Sequence, residues 1–205
     1  MYTETTAPDL WEKTGSLMLP ENAGSILLPL ARAAIAAQMG TTLAASDDAG
    51  WLRANGAAFV TLMHAGRLRG CIGTLEAHRA LGEDVKANAV AAAFRDPRFK
   101  PLDKREFDHL NVEVSVLSAI ETIVFRDEDD ALAQLHPEID GVIFEYGHHR
   151  STFLPQVWED LRDPEQFVSQ LKLKAGLSAD VRTTRCAVKR YRVLKWRESQ
   201  FARES

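Results

Sequence analysis

Cys71 is the residue whose type and setting most invite chemistry. It lies in Arg67-Leu68-Arg69-Gly70-Cys71-Ile72-Gly73, bracketed by two glycines and close to two arginines. Glycine within a strand weakens pairing, and it marks a bulge or a place where a backbone or ligand comes close. Neighbouring arginines favour a thiolate over a thiol. Together these residues would suit a nucleophilic, redox or ligand-touching thiol in a cleft. They equally suit a small apolar residue packed in a tight sheet, because free cysteine is among the most buried residue types. Strand alternation would place Arg69 and Cys71 on one face and so favours an exposed site.

Other side chains could serve the same cleft. Glu113 and Ser115 alternate with Val112, Val114 and Val116. Glu113 would act as general base or orienting carboxylate, whereas alternation alone predicts a solvated strand face, the simpler reading. Arg98, in Asp96-Pro97-Arg98-Phe99, has the fork that clamps carboxylates or phosphates, or it ties its loop to a carboxylate or carbonyl. Asp96 reads as a loop cap. His64 ends the strand before Cys71, so a Cys71–His64 dyad is conceivable beside the commoner case of an exposed turn histidine. None of the six histidines shows a compact metal-ligand spacing. His148 and His149 belong to a hairpin tip. Gln156 is a further candidate ligand contact, while Phe153 and Trp158 read as core. The basic stretch Arg182 to Arg197 interleaves with Val188, Tyr191, Val193, Leu194 and Trp196, which suggests a solvated edge strand rather than a nucleic-acid surface. No Walker loop, GxGxxG turn or GxSxG elbow occurs.

The elements that must position these residues follow from periodicity. Ile26 to Met39 has helical spacing and Gly40 at its stop, with Pro29 fitting only in the first turn or at a kink. Ala57 to His64 and Arg67 to Thr74 flank Ala65-Gly66 as a hairpin. Ala80 to Phe94 is an alanine-rich helix that Asp96-Pro97 ends. Asn111 to Ser118 is a half-buried strand, and Glu128 to Leu135 a short acidic helix. Gly141 to Tyr146 and Ser151 to Leu154 form a second hairpin. Asp163-Pro164 starts a helix that Gly176 closes. Val181 to Trp196 supplies a last strand. Hairpins with inserted helices predict an α+β fold on a mainly antiparallel sheet.

Composition narrows the classes. The 205 residues are 45% hydrophobic and 26% charged, with a net charge of −4. That suits a soluble globular chain that needs no disulfide or metal to fold, and it gives no global pull toward nucleic acid or membranes. Two distant cysteines make neither a disulfide framework nor a zinc motif. No signal-peptide pattern or membrane-length apolar run is present, so the expected location is cytoplasmic.

Six stretches resemble the AMMECR family: residues 68–74, 92–99, 112–117, 140–143, 152–158 and 174–177. They occur in the family's order across residues 20–197, after a loosely held lead-in over residues 1–19 and before a tail over 198–205. The resemblance implies an α+β fold with a larger and a smaller lobe. It also implies the company of Memo-like and radical S-adenosylmethionine proteins, the AmmeMemoRadiSam grouping. It supplies neither a reaction nor a cofactor. The resulting expectation is an enzyme or enzyme component at a cleft around the Cys71 strand. Cys71 and Glu113 would be its catalytic candidates, and Arg69, Gly70, Ile72, Gly73, Arg98, Ser115 and Gln156 would touch the ligand. A non-catalytic adaptor using the same surface is the alternative, with nucleic-acid binding third.

Overall fold

Helix α1 (Gly24–Gln38) forms from the leucine- and alanine-rich run after Pro20 in the computed structural model, which describes residues 19–181 and 186–198. Gly40, at φ +79°, ends it, with Thr41 N–H donating to the Ala36 carbonyl. That left-handed residue and long-reaching bond are the usual glycine stop. Pro29 stands inside the helix, beyond the first turn to which its missing N–H is best suited. All of the expected lead-in but Leu19, and all of the tail but Glu198, lie outside the described residues.

The chain divides into two units. Residues up to Leu117 and from Leu194 onward belong to the first, and Ser118–Val193 to the second. In the first, β1 (Asn55–His64) and β2 (Arg67–Gly73) pair as an antiparallel hairpin. Its two-residue turn, Ala65-Gly66, has φ of 49° and 75°. Positive φ at both positions matches the twist of the strands. Strand β3 (Arg79–Ala80) pairs with the start of β1 and leads into α2 (Leu81–Phe94). The one-turn α3 (Lys104–Phe107) precedes β4 (Leu110–Leu117), which pairs along the other side of β1.

The second unit contains β5 (Glu121–Ile123), α4 (Glu128–Ala133), and the hairpin β6 (Gly141–Tyr146) and β7 (His149–Phe153). Helix α5 (Pro164–Lys174) is capped by Asp163, which accepts the N–H groups of Glu165 and Gln166. Strand β8 (Ala187–Tyr191) lies inside a sheet of order β5-β8-β6-β7. One residue later β9 (Val193–Arg197) begins and joins the other sheet, of order β2-β1-β4-β9.

The expected single basic edge strand is therefore two strands in two sheets. Their charges are not simply solvated: Lys189 pairs with Glu145, Arg190 with Glu121, and Lys195 with Glu113. Residues 182–185, part of that basic stretch, lie outside the described residues.

Each unit has its own core. In the first, α1 and α2 pack on Val60, Leu62, Val112, Val114 and Val116. In the second, Trp158 stacks on Phe167 with ring centres 3.6 Å apart, beside Val142, Phe144 and Val188. Among the described residues no helix is long and apolar enough to cross a membrane.

Candidate functional site

Strand β2 is an edge strand, and at Cys71 its outward backbone is already occupied. Asp96 accepts the Cys71 N–H at 2.9 Å, and Arg98 donates to the Cys71 carbonyl at 3.1 Å. Arg98 also binds both carboxylate oxygens of Asp96, at 2.9 and 2.7 Å. The loop after α2 thus satisfies the groups that a neighbouring strand would take, a known protection of sheet edges. Of the two roles open to Arg98, anion clamp or loop tie, these contacts are those of the tie. The Arg98 guanidinium, aided by the Cys71 and Arg98 N–H groups, holds the Asp96 carboxyl well below the usual carboxylate range.

The motif's glycines make room for protein. A Cβ on Gly70 would collide with the Ala92 carbonyl oxygen of α2, and one on Gly73 with the Phe59 ring. Ile72 likewise turns to the first unit's core. Between Gly70, which faces Leu62, and Leu68, which faces Met63, Arg69 is one residue too many for the ladder. This bulge breaks the alternation that would have put Arg69 beside Cys71, since an extra residue re-aims its side chain. Arg69 instead grips Glu106 with two bonds, at 2.8 and 3.0 Å, and donates to the Lys100 carbonyl at 3.0 Å. The guanidinium, with help from the Asp103 N–H, pulls the Glu106 carboxyl down to about 2.

The sheet face away from the helices carries the reactive groups. Cys71 stands opposite Thr61, which stands opposite Glu113, and Gly73, Phe59 and Ser115 form the next cross-strand row. The Thr61 hydroxyl donates to Cys71 Sγ at 3.3 Å. Two strand spacings put Cys71 and Glu113 about 10 Å apart. Glu113 and Ser115 do lie opposite the valines, but each is only 4% exposed, so the solvated-face reading fails. For Glu113 strand β9 supplies the partners, since Lys195 Nζ lies 3.4 Å from one of its oxygens and Arg197 Nε pairs with the other. A buried carboxylate requires such partners.

His64 pairs across to Arg67 and Leu110, and its ring lies 6.4 Å from that of His109. Thr61, not His64, occupies the place across from Cys71, so no Cys71–His64 dyad forms. Gln156 lies exposed on a 3-10 turn (Pro155–Glu159) of the second unit, and His149 is in β7 rather than at the hairpin tip. Among the described residues no three of His, Cys, Asp and Glu gather closely enough to hold a metal ion. A hollow of ≈ 490 Å³ in the first unit, lined by Leu28, Pro29, Arg32 and Leu43, belongs to α1 and not to the Cys71 face.

One constellation was missed from the sequence. Asp84 of α2 is fully buried and accepts from the Ala58 N–H, Asn88, Thr74 and Arg79 at 2.7–2.9 Å. Asn88 in turn donates to the Ala58 carbonyl. The available signal was a pair of polar residues at i and i+4 on the helix face that also carries Leu81, Val85 and Ala92.

A model of the AMMECR1 family matches residues 28–196. A protein of Methanothermobacter thermautotrophicus is 36% identical over 166 residues, covering 79% of this chain and 86% of that protein. One of Sulfolobus acidocaldarius is 39% identical over 154 residues, covering 72% and 68%. One of Thermofilum pendens is 45% identical over 114 residues, and the match spans only about half of either chain, 55% and 54%. The crystal structure of an uncharacterized protein from Pyrococcus horikoshii matches with a TM-score of 0.75 and 32% identity, covering 85% of this chain and 91% of that one.

Proposed function

This chain belongs to the AMMECR1 family, and from that premise we propose that it is an enzyme, or a component of one, acting on a ligand laid across the Cys71–Thr61–Glu113 row. The observation that carries this reading is the row itself. It joins a part-exposed thiol held by a hydroxyl to a buried carboxylate set between two cations, on the sheet face opposite the helices. Cys71 would be the nucleophile, and Glu113 would orient the ligand or exchange a proton with it. Arg69, Gly70, Ile72, Gly73 and Arg98 then build and lock the strand, while Ser115 stays on the working face. A shared pathway with Memo-like and radical S-adenosylmethionine proteins rests on the family resemblance alone.

Alkylation tests the reading. Under it, iodoacetamide modifies Cys71 in the folded protein at least tenfold faster than Cys186, whose thiol burial pushes up. A Cys71 modified only after unfolding removes the nucleophile. A second reading, a non-catalytic adaptor presenting the same face, is favoured by Thr61 standing where a general base would. Cys71→Ser separates the two, because an adaptor keeps its partner through co-purification whereas a nucleophile's product is lost.

A further inference from the structure

The hollow along α1 has room, and its walls define what would fill it. Its volume of ≈ 490 Å³ is typical of small-molecule sites, which run from roughly 300 to 1,000 Å³. Leu28, a buried member of the first core, lines it, and so does Leu43, which is 40% exposed. Among the described residues no aromatic ring lines it, so a flat ring has nothing there to stack on.

Two charged side chains also line the hollow, and they already match each other. Arg32 Nε and Nη2 each lie 2.6 Å from an oxygen of Glu198, which also accepts the Val112 N–H at 2.8 Å. Arg32 Nη1 and Nη2 donate to the Phe107 and Leu110 carbonyls, at 3.2 and 2.8 Å. These bonds fix the wall in advance of any ligand and leave no net charge to draw an ion. At the other end Pro29 opens a gap in the helix. A helical N–H donates to the carbonyl four residues back, and proline has none, so the Ser25 carbonyl lacks that donor. The Ser25 hydroxyl hydrogen is spent on the Asn22 carbonyl at 2.7 Å. Ser25 and Pro29 both line the hollow, and Ser25 therefore offers acceptors to whatever enters. Ser25 and Arg32 stand about 10 Å apart along the axis, at ~1.5 Å per residue. The occupant that complements these walls is uncharged and apolar over most of its length, with one donor at its end.

We infer that this hollow binds a medium-chain aliphatic alcohol, or a molecule of that chemistry, whose hydroxyl donates to the Ser25 carbonyl. The site is independent of the Cys71 face. In the full chain with ¹³C-labelled leucine methyls, 1-octanol titrated to about 3 mM, a range suited to a millimolar Kd, gives saturable shifts at Leu28 and Leu43. Leu135 and Leu171, in the second core, stay unmoved. Octanoate is the charge control and binds at least tenfold more weakly. Pro29→Ala supplies the missing N–H, favours the helix, and weakens octanol about fivefold, as the loss of one hydrogen bond should. Leu43→Ser, at an exposed position, weakens it by removing apolar wall. Octanoate bound as tightly as octanol overturns the inference in favour of an anion site at Arg32. So does an octanol affinity that either variant leaves unchanged, or the absence of a saturable shift. Leu28 and Leu43 signals that move on dilution of the chain alone would make a second copy the occupant, which also overturns it.

Discussion

The edge at β2 and the surroundings of Asp140 treat their polar groups in opposite ways. Around β2 most of the polar side-chain atoms are spent: Asp96, Arg98, Arg69 and Glu106 are tied to one another or to backbone, although Arg69 Nη1 is buried without a hydrogen-bond partner, and Gly70 leaves no space above it. The nearby Asp84 meets four donors with its two oxygens. Asp140, equally buried, has both of its close contacts on one oxygen. The segment around Cys71 is thus largely construction around a single thiol. A carboxylate of the second unit, in a stretch with no catalytic spacing, retains unspent bonding capacity.

Four measurements press on that contrast. The largest effect belongs to Asp84→Ala, which strands the buried Ala58 N–H and breaks the pair with Arg79. Urea unfolding should show a loss of about 4 kcal/mol, in the range for breaking a buried ionic network. Gly70→Ala comes next, at about 3 kcal/mol, because α2 must lift from β2 to admit the methyl. A nearly neutral result there would mean that the edge is not spent at all. Asp140→Asn should cost only about 1 kcal/mol, since the amide still accepts the His136 N–H and few other bonds are lost. A cost equal to that of Asp84→Ala would erase the difference between the two acids.

The smallest effect concerns pH. The Glu106 carboxyl is lowered from 4.5 to about 2 in the folded chain, chiefly by Arg69. Its contribution to stability is therefore complete above pH 4.5 and disappears as pH falls toward about 2. Melting temperature followed across that window should drop less steeply in Arg69→Gln than in the unaltered chain. An unchanged slope would assign the acid limb to Asp96, which Arg98 lowers in the same direction.

Much of this fold was legible from local chemistry. The Asp163-Pro164 helix start, the glycine stops, the Ala65-Gly66 turn and the valine alternation of β4 depend on near neighbours. Gly70 and Gly73 announced a close approach, and the structure adds that Ala92 and Phe59 are what approach. What escaped depends on distant partners. The Arg69 bulge exists only in register with β1. Alternation told which way Glu113 points but not that Lys195 and Arg197, some eighty residues on, would cover it. Asp84 was hidden among the apolar positions of its own helix.

The order of strands also sets an order of events in synthesis. The second unit, residues 118–193, is inserted in the first, and its two ends are stitched by the Ser118 N–H to the Arg192 carbonyl and the Arg192 N–H to Ser118 Oγ, each at 2.9 Å. A nascent chain that has left the ribosome through Val193 holds every strand of the second sheet, yet still lacks β9 of the first. Vectorial folding usually favours the N-terminal part. Here the inserted unit has its full set of strands before the first unit does, and the counter-ions of Glu113, Lys195 and Arg197, are among the last described residues to be made.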